Sequence, residues 1–170
     1  KAIALEAAQR QATLILLARN LDRLNEVAAE ARIISGQEAY VIECDMTRPA
    51  DIDAAFAQLQ QVVDHVDVLV NAAGFGDFSE FVAESPEVVS SMFETNVLGL
   101  MYLTRLVARE MMEQMNGQVI NIGSMAGKVP TVKSAAYSAT KAAVIGFSNV
   151  LRLELKPFNV SVMTVRSEEH

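Results

Sequence analysis

Two kinds of segment alternate along the chain. Short runs that are apolar at nearly every position, TLILLAR, AYVIEC, VDVLV, GQVINI and NVSVMTV, read as strands buried on both faces. Between them lie segments with helical spacing of apolar positions. These are KAIALEAAQR, LDRLNEVAAEARII, PADIDAAFAQLQQVV, a long stretch from about Pro86 to Gln114, and another from about Ala135 to Lys156. Pro49 suits the opening of the third helix and Pro157 stops the last one.

Apolar strands separated by helices imply a parallel sheet covered on both faces. The expected fold is therefore α/β, a Rossmann-like, doubly wound parallel sheet in three layers. A length of 170 residues limits the chain to one domain, and no internal repeat, linker or low-complexity segment interrupts it.

Composition adds exclusions. Hydrophobic residues make up 51% and are evenly spread, which is enough to bury a sizeable core. A net charge of −7 argues against a nucleic-acid or anionic-membrane partner. Cys44 is the single cysteine, so no disulfide framework exists, which fits a reducing cytoplasm. No apolar run reaches membrane-spanning length and no signal peptide is visible.

The chemistry concentrates in GSMAGKVPTVKSAAYSATK, which contains Ser124, then Tyr137, then Lys141. A tyrosine and a lysine four apart share one helix face. There an ammonium can stabilise a phenolate and make the tyrosine a usable proton donor. Free tyrosine titrates near pH 10, so work near neutrality needs roughly 4 kcal/mol of help. Lys141 supplies part of it, and any further positive charge nearby would supply more. Ser124 follows the strand GQVINI, at the strand end where open α/β sheets bind ligands. Its hydroxyl can hold a substrate oxygen as charge shifts onto it.

The Tyr–Lys pair is a common coincidence alone, but VDVLVNAAGFG, FETNVLG and GQVINIGS precede it in the order such a fold needs. On these motifs the chain resembles the short-chain dehydrogenase/reductase family, of the single-domain type, from Lys1 to Val165. The resemblance implies that Tyr137 is the catalytic acid/base and that Lys141 also binds the nicotinamide ribose. It further implies that Asn96 holds a water in a proton relay to the lysine. Asn96 is otherwise awkward, since asparagine mid-helix competes for backbone bonds, and Gly99 would tolerate a local kink there.

Cofactor contacts, on the adenine-ribose side of a dinucleotide, are expected at Asn71, Ala72, Ala73 and Gly74, where small residues at a strand exit let a flat group approach the backbone. Ala72 departs from the second asparagine more common in the family, which leaves Asn71 the structural role. Asp45, with Met46 beside it, resembles the family acid that hydrogen-bonds the adenine. Ala18 stands where an NAD-specific fold places an acid, and Arg19 follows it. That favours NADP(H) over NAD(H), unless Arg19 pairs with a surface acid such as Asp22. No residue is assigned to a metal. Cys44 reads as a small buried hydrophobe, and Met111, Met112 and Met115 as packing.

Both ends look cut. The chain opens inside a helix, so a strand and a glycine-rich phosphate turn are expected upstream of Lys1. After NVSVMTV the family continues into an Asn-Pro-Gly turn, whereas this chain reads Arg166 to His170. The codons AGA TCG GAA GAG CAC, the opening of a common sequencing adapter, translate to RSEEH. The expected boundaries are a partial dinucleotide-binding domain at 1–165 and a non-native tail at 166–170, so His170 is not offered as a base or ligand. A piece lacking an inner strand and the C-terminal region is expected to be inactive by itself.

For the intact protein the expectation is an NADP(H)-dependent oxidoreductase acting on a ketone, aldehyde or secondary alcohol. The alternatives are a catalytically silent dinucleotide-binding regulator and an epimerase or dehydratase of the same fold. The resemblance also implies a homodimer or homotetramer built on two long helices, which here carry Leu100, Leu103, Val107, Phe147 and Val150. Phe75, Phe78 and Phe81 suggest an apolar wall near the substrate, although such aromatics are as often plain packing.

Overall fold

The computed structural model of the protein describes residues 1–129 and 131–167. Residues 168–170 of the expected tail, His170 among them, lie outside the described residues. The chain forms two compact units, divided after Asp64.

In the first unit, helix α1 (Ala2–Gln9), strand β1 (Leu14–Ala18), helix α2 (Leu21–Ser35), strand β2 (Ala39–Glu43) and helix α3 (Pro49–Val62) follow one another as the apolar pattern requires. β1 and β2 pair in parallel, from Leu14 opposite Ala39 to Ala18 opposite Glu43. Helix α2 is bounded by its own sequence. The Asn20 side chain accepts the Arg23 N–H at its start, and Gly36 ends it in the left-handed conformation at φ 66°. Ala8, Ala28, Ala31 and Ala39 form the buried centre, with Leu5, Leu14, Leu16 and Val41 packed around them. Small side chains there let helices and strands approach closely.

Helix α1 ends without a glycine. Gln11 takes the left-handed conformation at φ 60°, its N–H bonded to the carbonyl of Ala8. A side chain there costs about 1 kcal/mol relative to glycine. Gln11→Gly is accordingly expected to raise the denaturant midpoint by an increment of about that size, with an unchanged m-value.

The second unit contains strand β3 (Val68–Asn71), helix α4 (Pro86–Phe93), helix α5 (Leu100–Gln114), strand β4 (Gly117–Ser124), helix α6 (Ala135–Leu155) and strand β5 (Val160–Ser167). β3, β4 and β5 form a parallel sheet in that order. The strands are thus all parallel, as expected, but are hydrogen-bonded as two sheets rather than one. β5 runs two residues beyond Val165, pairing the backbone of Arg166 and Ser167 with Gly123 and Ser124.

One element differs from the sequence reading. The stretch from Pro86 to Gln114 is not a single α-helix, because Glu94–Gly99 forms a π-helical turn between α4 and α5. A π turn admits one extra residue, and such turns often sit at functional sites. The extra residue rotates everything after it. Leu100, Leu103 and Val107, expected on an outward face, are consequently buried inside the chain, while Leu98 and Val150 remain more than half exposed.

A chain of buried polar side chains crosses the second unit. Asn71 at the end of β3 donates to Thr104 of α5 and to Asn121 of β4, each at 2.8 Å, and Asn121 donates to Ser148 of α6 at 2.8 Å. Thr104 and Ser148 close the chain on the helix carbonyls of Leu100 and Val144, both at 2.7 Å. Four elements are fastened through side chains that are nearly all out of contact with water.

Candidate active site

Tyr137 and Lys141 stand on successive turns at the start of α6. The Lys141 Nζ is 5.6 Å from the centre of the Tyr137 ring and donates to the carbonyl of Ile122 at 3.0 Å. That carbonyl lies near the C-terminal end of β4, so the strand holds the lysine head in place. Lys141 is only 7% exposed, and burial pushes its ammonium below the ordinary lysine pKa. A lysine loosened in this way exchanges its proton more readily than one in water.

Asn96 lies in the middle of the π turn, almost wholly buried. It is not a solvated helical asparagine. Its Oδ1 accepts the Phe75 N–H at 3.0 Å, and its Nδ2 donates to the Phe75 carbonyl at 2.8 Å and to Thr140 Oγ1 at 3.2 Å. Both amide hydrogens are spoken for, which leaves a lone pair on Oδ1 as the spare capacity of this side chain. Thr140 in turn donates to the Tyr137 carbonyl at 2.7 Å. Asn96 thus ties the loop after β3 to the helix that carries Tyr137 and Lys141. Thr140 was not singled out from the sequence; the signal was a small hydroxyl between the tyrosine and the lysine on a buried face.

Glycines set the close approaches. At Gly74 an added Cβ would lie 2.9 Å from Asn96 Oδ1 and 3.8 Å from Lys141 Nζ. Ala72, Ala73 and Gly74 are exposed at the exit of β3. Bare backbone beside a buried lysine suits a flat, ribose-linked ring, so these residues fit a nicotinamide nucleotide. At Gly76 a Cβ would meet Tyr137 Cδ2 at 2.8 Å.

Gly127 is the tightest of the three, since a Cβ there would lie 2.8 Å from the Lys141 backbone carbon and 2.9 Å from the Ala142 nitrogen. Backbone cannot swing aside as a side chain can. Gly127→Ala is expected to cost about 2–3 kcal/mol in chemical denaturation and to displace Lys141.

Ser124 closes β4 and is 2% exposed, with its Oγ accepting the Ala126 N–H at 3.1 Å. Its hydroxyl hydrogen stays available to donate. Asn96, Tyr137, Lys141 and Gly74 are therefore gathered in one place, and Ser124 ends the strand whose Ile122 carbonyl anchors the lysine. Asn71 is buried and engaged in the polar chain described above, a structural role.

The remaining predicted residues belong to the first unit. Asp45 accepts the Thr47 N–H at 3.0 Å and its hydroxyl at 2.9 Å, both on Oδ1. The backbone bond chiefly holds its carboxyl below the usual range, assisted by the hydroxyl and by the charges of Arg19 and Arg48. Arg19 is exposed after β1, and its field reaches Asp45. The Met46 sulfur lies 3.9 Å from Cys44 Sγ. Burial first, then Asp51 and Asp45, push the Cys44 thiol up to about 11, which makes it an inert core residue at neutral pH. Among the described residues no group of three or more His, Cys, Asp or Glu could hold a metal ion, and no helix is long and apolar enough to cross a membrane.

Comparison with known proteins gives this arrangement a context. The ketoacyl reductase HetN of a Nostoc species is 34% identical over 163 residues, which is 96% of this chain and 56% of that protein. The chain thus spans little more than half the length of that relative. A metagenomic short-chain oxidoreductase solved with NADP superposes at a TM-score of 0.93, with 31% identity over 99% of this chain and 76% of the other. An NAD+-bound xylitol dehydrogenase superposes at 0.93, with 28% identity over 98% of this chain and 64% of its own. The short chain dehydrogenase family matches residues 1–167, essentially the whole sequence. The chain belongs to the short-chain dehydrogenase/reductase family.

Proposed function

We propose that the protein is an NADP(H)-dependent oxidoreductase that interconverts a ketone or aldehyde and a secondary or primary alcohol, with Tyr137 as the proton donor and acceptor. The observation that carries this reading is the convergence of Tyr137, the buried Lys141 and Asn96 beside the bare backbone of Gly74. When bound, the nicotinamide supplies or accepts the hydride. In the direction of reduction, the Tyr137 hydroxyl gives its proton to the carbonyl oxygen. Ser124 donates its free hydroxyl hydrogen to the same oxygen and fixes its orientation. Lys141 restores the tyrosine proton, drawing on its weakened hold, and the spare lone pair on Asn96 Oδ1 can seat the water that refills the lysine.

In the second unit, Gly74, Tyr137 and Lys141 are the proposed contacts of the nicotinamide ribose, with Ala72 and Ala73 alongside. In the first unit, Asp45 and Met46 are the proposed adenine contacts. Arg19, with no acid at position 18, is the residue that favours a 2′-phosphate. The NADP-bound relative supports that preference, and the NAD+-bound one shows that the fold accepts either cofactor. An apolar groove of about 630 Å³ along α5 and α6, lined by Leu98, Met101, Met112, Phe147 and Leu151, supports pairing of subunits through these helices.

The test is cofactor consumption by the intact protein in the presence of a carbonyl panel. NADPH should be oxidised with a higher kcat/KM than NADH, and Arg19→Glu should reverse the order. If neither cofactor is consumed with any carbonyl and neither binds, the reading is wrong.

A further inference from the structure

Two loops border Tyr137, and both expose apolar side chains. On the loop after β3, Phe75 is 40%, Phe78 56% and Phe81 59% exposed; on the loop before α6, Val129 is 51% and Val132 89% exposed. Asp77, Glu80, Lys128 and Lys133 alternate with them, so the charges interrupt the apolar surface without covering it. Scattered exposed apolar residues need no explanation, but one that packs against a reactive side chain does.

Of these side chains, Phe78 packs against Tyr137. Its ring centre is 5.4 Å from that of Tyr137, the planes tilted by 58°. The two rings thus meet in a tilted arrangement, within the centroid separations that aromatic pairs favour. The rings can approach because Gly76 lies between them: a Cβ there would fall 2.8 Å from Tyr137 Cδ2 and 3.2 Å from Phe78 Cε2. The loop is not free to drift, since Asn96 grips the N–H and the carbonyl of Phe75. A ring packed against the proposed proton donor, with more than half its surface open, is placed to receive something.

We infer that Phe78 is a specificity-determining residue whose open face takes an aromatic or bulky apolar substituent on the carbonyl substrate. The inference rests on the proposed role of Tyr137. A carbonyl carbon that presents its oxygen to the Tyr137 hydroxyl must place one substituent beside that ring. On this side the neighbour is Phe78. Aryl ketones gain a ring contact there, whereas small or polyhydroxylated carbonyls gain nothing from an apolar wall.

The experiment compares acetophenone with acetone, using NADPH and the intact protein, for wild type, Phe78→Ala and Phe78→Leu. Wild type should favour acetophenone in kcat/KM by at least about ten-fold, the size of one aromatic contact. Phe78→Ala should cut the ratio of the two kcat/KM values about ten-fold, mainly through the KM for acetophenone. Phe78→Leu should fall between, because it keeps apolar bulk without the ring. Equal use of both ketones by wild type, or an unchanged ratio in both variants, overturns the inference and leaves the oxidoreductase reading standing.

A loss of folding stability in Phe78→Ala without a change in ratio overturns it too, because the ring is then covered by protein. If wild type reduces no carbonyl, the oxidoreductase reading fails instead. Saturation-transfer NMR of acetophenone then decides the inference. Saturation of the phenyl protons by wild type that disappears with Phe78→Ala supports it, and no phenyl saturation by wild type overturns it.

Discussion

Tyr137→Phe is expected to lower kcat for carbonyl reduction by about 10²–10⁴-fold, the span associated with a positioned general acid. The change is confined to one oxygen. Phenylalanine keeps the ring that meets Phe78 and overhangs Gly76, so the local packing survives. The backbone bond from Thr140 to the Tyr137 carbonyl survives as well. Circular dichroism and the denaturant midpoint should therefore match those of the parent protein. A variant that is inactive only because it is unfolded would show no thermal transition, and a variant that keeps its kcat would remove Tyr137 from the chemistry.

The second large effect is on stability. Asn121→Ala is expected to cost about 2–4 kcal/mol, read as a lowered denaturant midpoint with little change in m-value. Asn121 is fully buried in the middle of β4, where it accepts from Asn71 and donates to Ser148. Alanine would leave one Asn71 N–H buried without an acceptor and a small void between strand and helix. Because Asn71 ends the strand that leads into Ala72–Gly74, activity should fall along with stability.

The order of strands and helices was legible from the apolar pattern because buried parallel strands and amphipathic helices differ in period. The start of the third helix was legible because Pro49 marks it. The π turn was not legible. One extra residue in a helix leaves no gap in the pattern, although Asn96 was already out of place for a helix interior. That shift also misdirected Leu100, Leu103 and Val107, which the structure turns into the core.

Ser124, Tyr137 and Lys141 were readable because a helix face and a strand end fix them by spacing. The partners that hold them were not. Lys141 is steadied by a backbone carbonyl and Asn96 by the backbone of Phe75, and carbonyls carry no letter in a sequence. Asn121 left a trace, a polar residue inside an otherwise apolar strand, but its partners Thr104 and Ser148 lie on helices where a small hydroxyl draws no notice.

The most direct test of the proposed chemistry follows the hydride. The intact protein is given a ketone and NADPH carrying deuterium at the transferable position of the nicotinamide, and the alcohol is examined by mass spectrometry and NMR. One deuterium is expected on the carbinol carbon, with the hydroxyl proton coming from solvent by way of Tyr137, and near-complete loss of product in Tyr137→Phe. An alcohol with no deuterium on that carbon, or labelled product formed equally well by Tyr137→Phe, would contradict it.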